Sequence, residues 1–124
     1  MPAPKRILVI EDEEDIRTVI QKTLSRAGYE VEDMPYLATS VGKALSEDYD
    51  LITLDLNMPG IDGGDVAELF QHEKLDTPVL VISAYLDQPT IEKLRERGIR
   101  HFLSKPFKVS ELLEAVEKAL GGKE

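Results

Sequence analysis

Six polar residues of this 124-residue chain stand close behind short apolar runs: Glu11 and Asp12 after "ILVI" (7–10), Asp55 and Asn57 after "LITL" (51–54), Ser83 after "VLVI" (79–82) and Lys105 after "HFLS" (101–104). If those runs are strands ending at one edge of a sheet, three carboxylates meet there. At ~4 Å and an effective dielectric near 20, each pair of them costs roughly 4 kcal/mol, so something positive must compensate. Carboxylate and carbonyl oxygens, with no thiol and no evident imidazole among them, suit magnesium, which takes one or two carboxylates and keeps waters that a phosphate can replace. Lys105 supplies a second positive charge. The set reads as an acidic magnesium site able to hold a phosphoryl group. Each residue alone has a plainer reading: Asp12 as a helix N-cap or turn residue, Ser83 as a turn hydroxyl, Lys105 as a surface lysine. Their joint placement favours the site.

A calcium loop is the competing chemistry for Asp55. Counted from Asp55, Asn57 is third and Gly60 sixth, as the EF-hand pattern requires. The match then stops, because Pro59 at the fifth position brings no side-chain oxygen and Val66 stands where a bidentate glutamate should close the shell. "GIDGG" (60–64) is glycine-rich but lacks the order and the strand context of a nucleotide-binding loop.

The elements that must position these residues follow from the apolar periodicity. Strands are expected at 7–10, 30–34 (the more polar "EVEDM"), 51–54, 79–82 and 101–104. Ile16, Val19, Ile20 and Leu24 share one face of a helix that Gly28 ends, and Val109, Leu112, Leu113, Val116 and Leu120 repeat the pattern before Gly121. Less regular helices are expected at 37–47 and 65–73. "PTIEKLRERG" (89–98) offers only Ile91 and Leu94 to a core and is the loosest. Strand and helix alternate five times, which implies an α/β fold with a doubly wound, five-stranded parallel sheet and five helices. Continuous apolar runs place strands 1, 3 and 4 in the middle and strand 2 at an edge, which the order 2-1-3-4-5 satisfies. Ligands then bind beyond the carboxyl ends of strands 1 and 3.

Composition narrows the function. Fifteen basic against 24 acidic residues give a formal charge of −9, which repels nucleic-acid backbones and favours basic protein partners. There is no cysteine, so disulfides, thiolate metal sites and a cysteine nucleophile are excluded. "MPAPKR" precedes only four apolar residues, too few for a signal-peptide core, and no run is long enough to span a bilayer. The expectation is a cytoplasmic protein of one domain, residues 1–124 with a core of about 5–120, without an output domain.

Taken together, "ILVIEDEEDIR", "LITLDLNMPGIDG", "VLVISAY" and "FLSKPF" resemble, in order and spacing, the receiver domain of two-component response regulators, over nearly the whole chain. The resemblance implies a flavodoxin-like fold and a magnesium-dependent transfer of a phosphoryl group onto Asp55 from a sensor histidine kinase or a histidine phosphotransfer protein. It makes Asp12 the principal carboxylate of the metal site, Glu11 its acidic companion and Asn57 the donor of a backbone carbonyl. Ser83 would hydrogen-bond the phosphoryl oxygens and Lys105 pair with them, before a Lys105–Pro106 bond that is commonly cis in the family. Side chains two positions beyond the acceptor and the hydroxyl residue, Asn57 and Tyr85, would tune hydrolysis of the acyl phosphate. Ser83 and Phe102 would form a switch that alters the surface of the 89–98 helix, the 101–104 strand and the last helix, through which an unidentified downstream protein is engaged. Glu11 stands where Asp is more frequent, which lengthens the reach, and Ser83 where Thr is also common. His72 and His101 match no functional position and read as surface residues. Such a domain catalyses its own phosphorylation without being a turnover enzyme.

Three rival functions remain. A flavodoxin-type protein would feed its first strand into small hydroxyl residues and amides around an anionic phosphate, which "EDEED" (11–15) would repel. A phosphatase with an aspartyl intermediate would carry a second acid two residues after the nucleophile, where Asn57 stands. A receiver-like module that binds without phosphorylation is the third, although every acceptor residue is present.

Overall fold

The computed structural model describes residues 3–35, 37–56, 65, 68, 71–72 and 76–121. Five strands, β1 (Arg6–Ile10), β2 (Glu30–Met34), β3 (Leu51–Leu54), β4 (Val79–Ser83) and β5 (His101–Ser104), form one sheet in the order β2-β1-β3-β4-β5. Every pairing is parallel. The apolar runs of β1, β3 and β4 are central and almost wholly buried, because helices cover both faces. The polar "EVEDM" is the edge strand β2, as expected.

Alternation along the strands divides the core in two. Leu8, Ile10, Ile52, Leu54, Val79 and Val81 face one layer, with Ala44 of the helix Leu37–Ser46 and Leu94 of the helix Gln88–Glu96. Ile7, Val9, Leu51, Leu80 and Ile82 face the other, with Ile20 and Leu24 of the helix Glu14–Arg26 and Leu112, Val116 and Ala119 of the helix Val109–Gly121. Leu94 is the one buried side chain of Gln88–Glu96, in keeping with its poor apolar face. Four of the five expected helices are thus delimited among the described residues. Of the 65–73 helix, Asp65, Glu68, Gln71 and His72 are described and helical.

Local chemistry sets the helix ends. After Glu14–Arg26 the chain turns at Gly28 with φ 101°, a left-handed value that a Cβ would penalise. There the Tyr29 N–H donates to the Leu24 carbonyl at 3.1 Å and the Gly28 N–H to that of Ser25 at 3.1 Å, which satisfies carbonyls the helix end would leave unpaired. Gln88–Glu96 starts at Asp87, whose carboxylate accepts the Thr90 N–H at 3.0 Å.

Candidate functional site

Glu11 is the first residue past β1, Asp55 the first past β3, and Lys105 the first past β5, while Ser83 closes β4. Main-chain bonds hold these ends in register: Glu11 N–H to Met34 O at 3.2 Å, Asp55 N–H to Ile10 O at 3.1 Å and Lys105 N–H to Ser83 O at 2.9 Å. The parallel order therefore delivers side chains 94 residues apart in sequence to one edge. Glu11 is 1% exposed, Asp55 3% and Ser83 0%, whereas Asp12 is half-buried.

One carboxylate oxygen from each of Glu11, Asp12 and Asp55 lies within 4.8 Å of the others. Lys105 reaches in from the end of the edge strand β5: its Nζ is 3.1 Å from Glu11 Oε1, 3.5 Å from Asp55 Oδ2 and 3.5 Å from Glu13 Oε1. The Ser83 hydroxyl accepts the Tyr85 N–H at 3.1 Å, which orients its oxygen at the end of β4. Lys105–Pro106 is cis.

The electrostatics record the crowding. Burial and the neighbouring Asp55 carboxylate push the Glu11 carboxyl from 4.5 up to about 7. Asp12 is raised for the same two reasons, burial first. Burial alone would lower Lys105, but Glu11 and Asp55 outweigh it and raise the ammonium above its ordinary value. One lysine thus leaves its three carboxylates incompletely neutralised. Converging oxygen donors with no sulfur or imidazole among them fit a hard divalent cation, and so few protein ligands suit magnesium, which retains water, better than calcium.

Of the residues singled out in the sequence, Glu11, Asp12, Asp55 and Lys105 come together, with Ser83 closing the strand between Asp55 and Lys105. Asn57 lies outside the described residues. Tyr85 is 73% exposed beside Ser83, and Phe102 is half-buried against the core with the Arg95 guanidinium 5.5 Å from its ring centre. His72 is exposed and His101 half-buried. Two site residues escape the sequence reading. Glu13 reaches Lys105, and Arg17 donates from Nη1 to the Glu11 carbonyl at 3.0 Å. The available sequence signals are a glutamate, rather than Ser, Thr, Asp or Asn, just before the first helix and a cation close behind its leading acids Glu14 and Asp15.

Known proteins are similar to this chain in sequence and fold. The chain is 38% identical over 114 residues to the DNA-binding transcriptional regulator NtrC of Rhizobium meliloti, covering 92% of this chain and 24% of that protein. It is 34% identical over 116 residues to the alkaline phosphatase synthesis transcriptional regulatory protein PhoP of Bacillus subtilis, covering 94% and 48%. The chain thus spans half or less of the length of these curated relatives. The receiver domain of the sensor histidine kinase PA1611 from Pseudomonas aeruginosa, solved with magnesium in its active-site cleft, superposes with a TM-score of 0.85 at 28% identity, covering 97% of this chain and 100% of that one. Residues 7–117 match the family model of the response regulator receiver domain, and the chain belongs to that family.

Proposed function

We propose that Asp55 is the phosphoryl acceptor of this receiver domain, with Glu11, Asp12 and Asp55 holding magnesium. The observation that carries the reading is a buried Asp55 carboxylate 3.5 Å from Lys105 Nζ and clustered with two further acids at the switch point of the sheet. A carboxylate oxygen of Asp55 attacks phosphorus, the phosphorus–nitrogen bond to the donor imidazole breaks, and that nitrogen keeps the electron pair. An ionised carboxylate needs no general base. Bound magnesium supplies positive charge that offsets the repulsion between acids and incoming phosphoryl group. Lys105 neutralises the remaining phosphoryl charge, and the Ser83 hydroxyl donates to a phosphoryl oxygen. Asn57, through its main-chain carbonyl and its position two residues past the acceptor, and Tyr85 on the rim, fill the remaining metal-binding and dephosphorylation-tuning roles.

The donor is a sensor histidine kinase or a histidine phosphotransfer protein, and the domain signals in the cytoplasm rather than turning over a substrate. The added phosphoryl charge draws Ser83 inward and lets the Phe102 ring reorient, altering the face made by Gln88–Glu96, β5 and Val109–Gly121. Between β5 and Val109–Gly121 lies a cavity of about 660 Å³ with Phe102, Leu103 and Ala115 in its apolar lining and Glu111, Glu114 and Glu117 against the single cation Lys118, an acidic balance that suits a downstream protein with a basic contact surface.

The test is incubation with magnesium and a small acyl phosphate, followed by mass-spectrometric mapping. The expected product is phosphorylated at Asp55 and absent in Asp55→Asn, while Lys105→Ala labels slowly and signals weakly. Equal labelling of Asp55→Asn at another residue would overturn the assignment.

A further inference from the structure

The first helix opens against a general preference. Glu14 and Asp15 occupy its first turn, where the helix dipole favours acids, yet Arg17, two residues after Asp15, stands near the end where a cation is disfavoured. Its contacts account for it. Besides the Glu11 carbonyl at 3.0 Å from Nη1, the guanidinium places Nε 3.3 Å from Asp33 Oδ2, and only 16% of the side chain is exposed. Asp33 sits on β2 next to Met34, whose carbonyl accepts the Glu11 N–H at 3.2 Å. Both main-chain groups of Glu11 are therefore fastened to the end of β2, one directly and one through Arg17.

We propose that Arg17, anchored by Asp33, is a positioning residue that holds the Glu11–Asp12 turn so that both carboxylates stay convergent with Asp55 on a divalent cation. The inference rests on the reading of those three acids as the magnesium site. Glu11 and Asp12 lie past the last ladder residue of β1, on backbone that mutual repulsion among three acids tends to splay. Magnesium demands near-octahedral geometry, so a splayed turn loses affinity even with every carboxylate present.

Simple charge counting gives the opposite sign. Removing a cation beside an acidic cluster should tighten binding of another cation, whereas removing a tether should weaken it. The direction of change separates the two roles. Partners that orient ligating groups are worth about 10–100-fold in metal affinity, and a main-chain tether belongs at the lower end of that range.

The experiment is calorimetric titration of the full chain with magnesium chloride, alongside thermal unfolding in magnesium-free buffer. The variants are Arg17→Ala, Arg17→Lys, Asp33→Asn and Asp12→Asn. The magnesium dissociation constant is expected to rise about tenfold in Arg17→Ala. Arg17→Lys recovers part of the loss, because an ammonium can still donate to the Glu11 carbonyl without bridging to Asp33, and Asp33→Asn falls between. Unchanged or tighter binding in Arg17→Ala overturns the inference. If Arg17→Ala does not fold, wild-type affinity in both Arg17→Lys and Asp33→Asn overturns it equally. Asp12→Asn isolates the underlying reading: no magnesium uptake by the wild type, or full uptake by Asp12→Asn, defeats the metal site itself and the tether with it.

Discussion

Two groups of charged side chains occupy opposite ends of the same sheet, and Glu32 and Glu47 in one are displaced oppositely to Glu11 and Asp12 in the other. Near the amino ends of β1 and β2, Arg6 pairs with Glu30 at 3.2 Å, Glu47 at 3.2 Å and Glu32 at 3.7 Å, and lies 4.7 Å from the centre of the Tyr49 ring. Lys43 pairs with Glu32 and, at 3.4 Å, with Glu47, while the Tyr49 hydroxyl donates to Glu32 at 2.8 Å. Hydrogen bonds from Lys43 and Tyr49 hold Glu32 below the usual carboxyl range, and one from Arg6 does the same for Glu47. At the carboxyl ends, burial and mutual repulsion push Glu11 and Asp12 the other way. An acidic cluster alone therefore says little about function. The direction of displacement shows whether the side chains present can balance the charge or whether another cation is needed.

The sharpest way to break this comparison is to neutralise one charge at each end. In magnesium-free buffer at pH 8, Glu11→Gln should raise the unfolding free energy by about 3 kcal/mol, the equivalent of a carboxyl displaced from 4.5 to about 7. Arg6→Ala should lower stability, because it leaves Glu30, Glu32 and Glu47 facing one another. Urea unfolding of both variants measures the two signs. A destabilised Glu11→Gln would mean that the Lys105 pairing outweighs the repulsion, and the contrast between the ends would disappear.

The pH profile assigns a limb to each end. Glu11 binds its proton more tightly folded than unfolded, so its contribution is fully present below pH 4.5 and lost as pH rises through about 7. Glu32 and Glu47 bind theirs less tightly folded, so their contribution is present above 4.5 and lost as pH falls below it. Glu11→Gln should flatten the neutral limb, and Arg6→Ala should remove chiefly the Glu47 part of the acid limb while Lys43 and Tyr49 keep the Glu32 part, as read by unfolding free energy against pH. Millimolar magnesium should stabilise the wild type more at pH 8 than at pH 5, since a protonated Glu11 must lose its proton to solvent before it can ligate the metal. An equal gain at both pH values would remove Glu11 from the metal site.

Much of this architecture is legible in the sequence, because strand burial and side-chain alternation are local properties. "ILVI" and "VLVI" can be uninterrupted only where both sheet faces are covered, and "EVEDM" only at an edge. Once the order of strands is known, Glu11, Asp55 and Lys105 must share an edge. What the pattern does not carry is how the turn after β1 is held. Arg17 reads as an ordinary surface cation of a helix until its distance to the Glu11 carbonyl is known, and Glu13 reads as one more acid of "EDEED" until Lys105 arrives from 92 residues away. Side-chain partners in a turn depend on the turn's own path, which hydrophobic periodicity does not encode.

Glu13 supplies the smallest and most discriminating test, because it belongs to the metal-binding end by position but to the solvent-open network by exposure. It is the N-cap of Glu14–Arg26, yet its side chain makes no capping bond, and its carboxylate, 61% exposed, lies 3.5 Å from Lys105. In Glu13→Ser the hydroxyl can accept an N–H of the first turn, worth about 1 kcal/mol of stability. Losing an exposed partner of Lys105 should alter magnesium affinity by a few-fold at most, since exposed pairs contribute roughly 0–1 kcal/mol. Urea unfolding and calorimetry on the same variant read both quantities. If burial governs the cost of charge at this site, Glu13→Ser is more stable and binds magnesium nearly as well as the wild type. A loss as large as that of Asp12→Asn would show that proximity to Lys105, rather than burial, sets the balance.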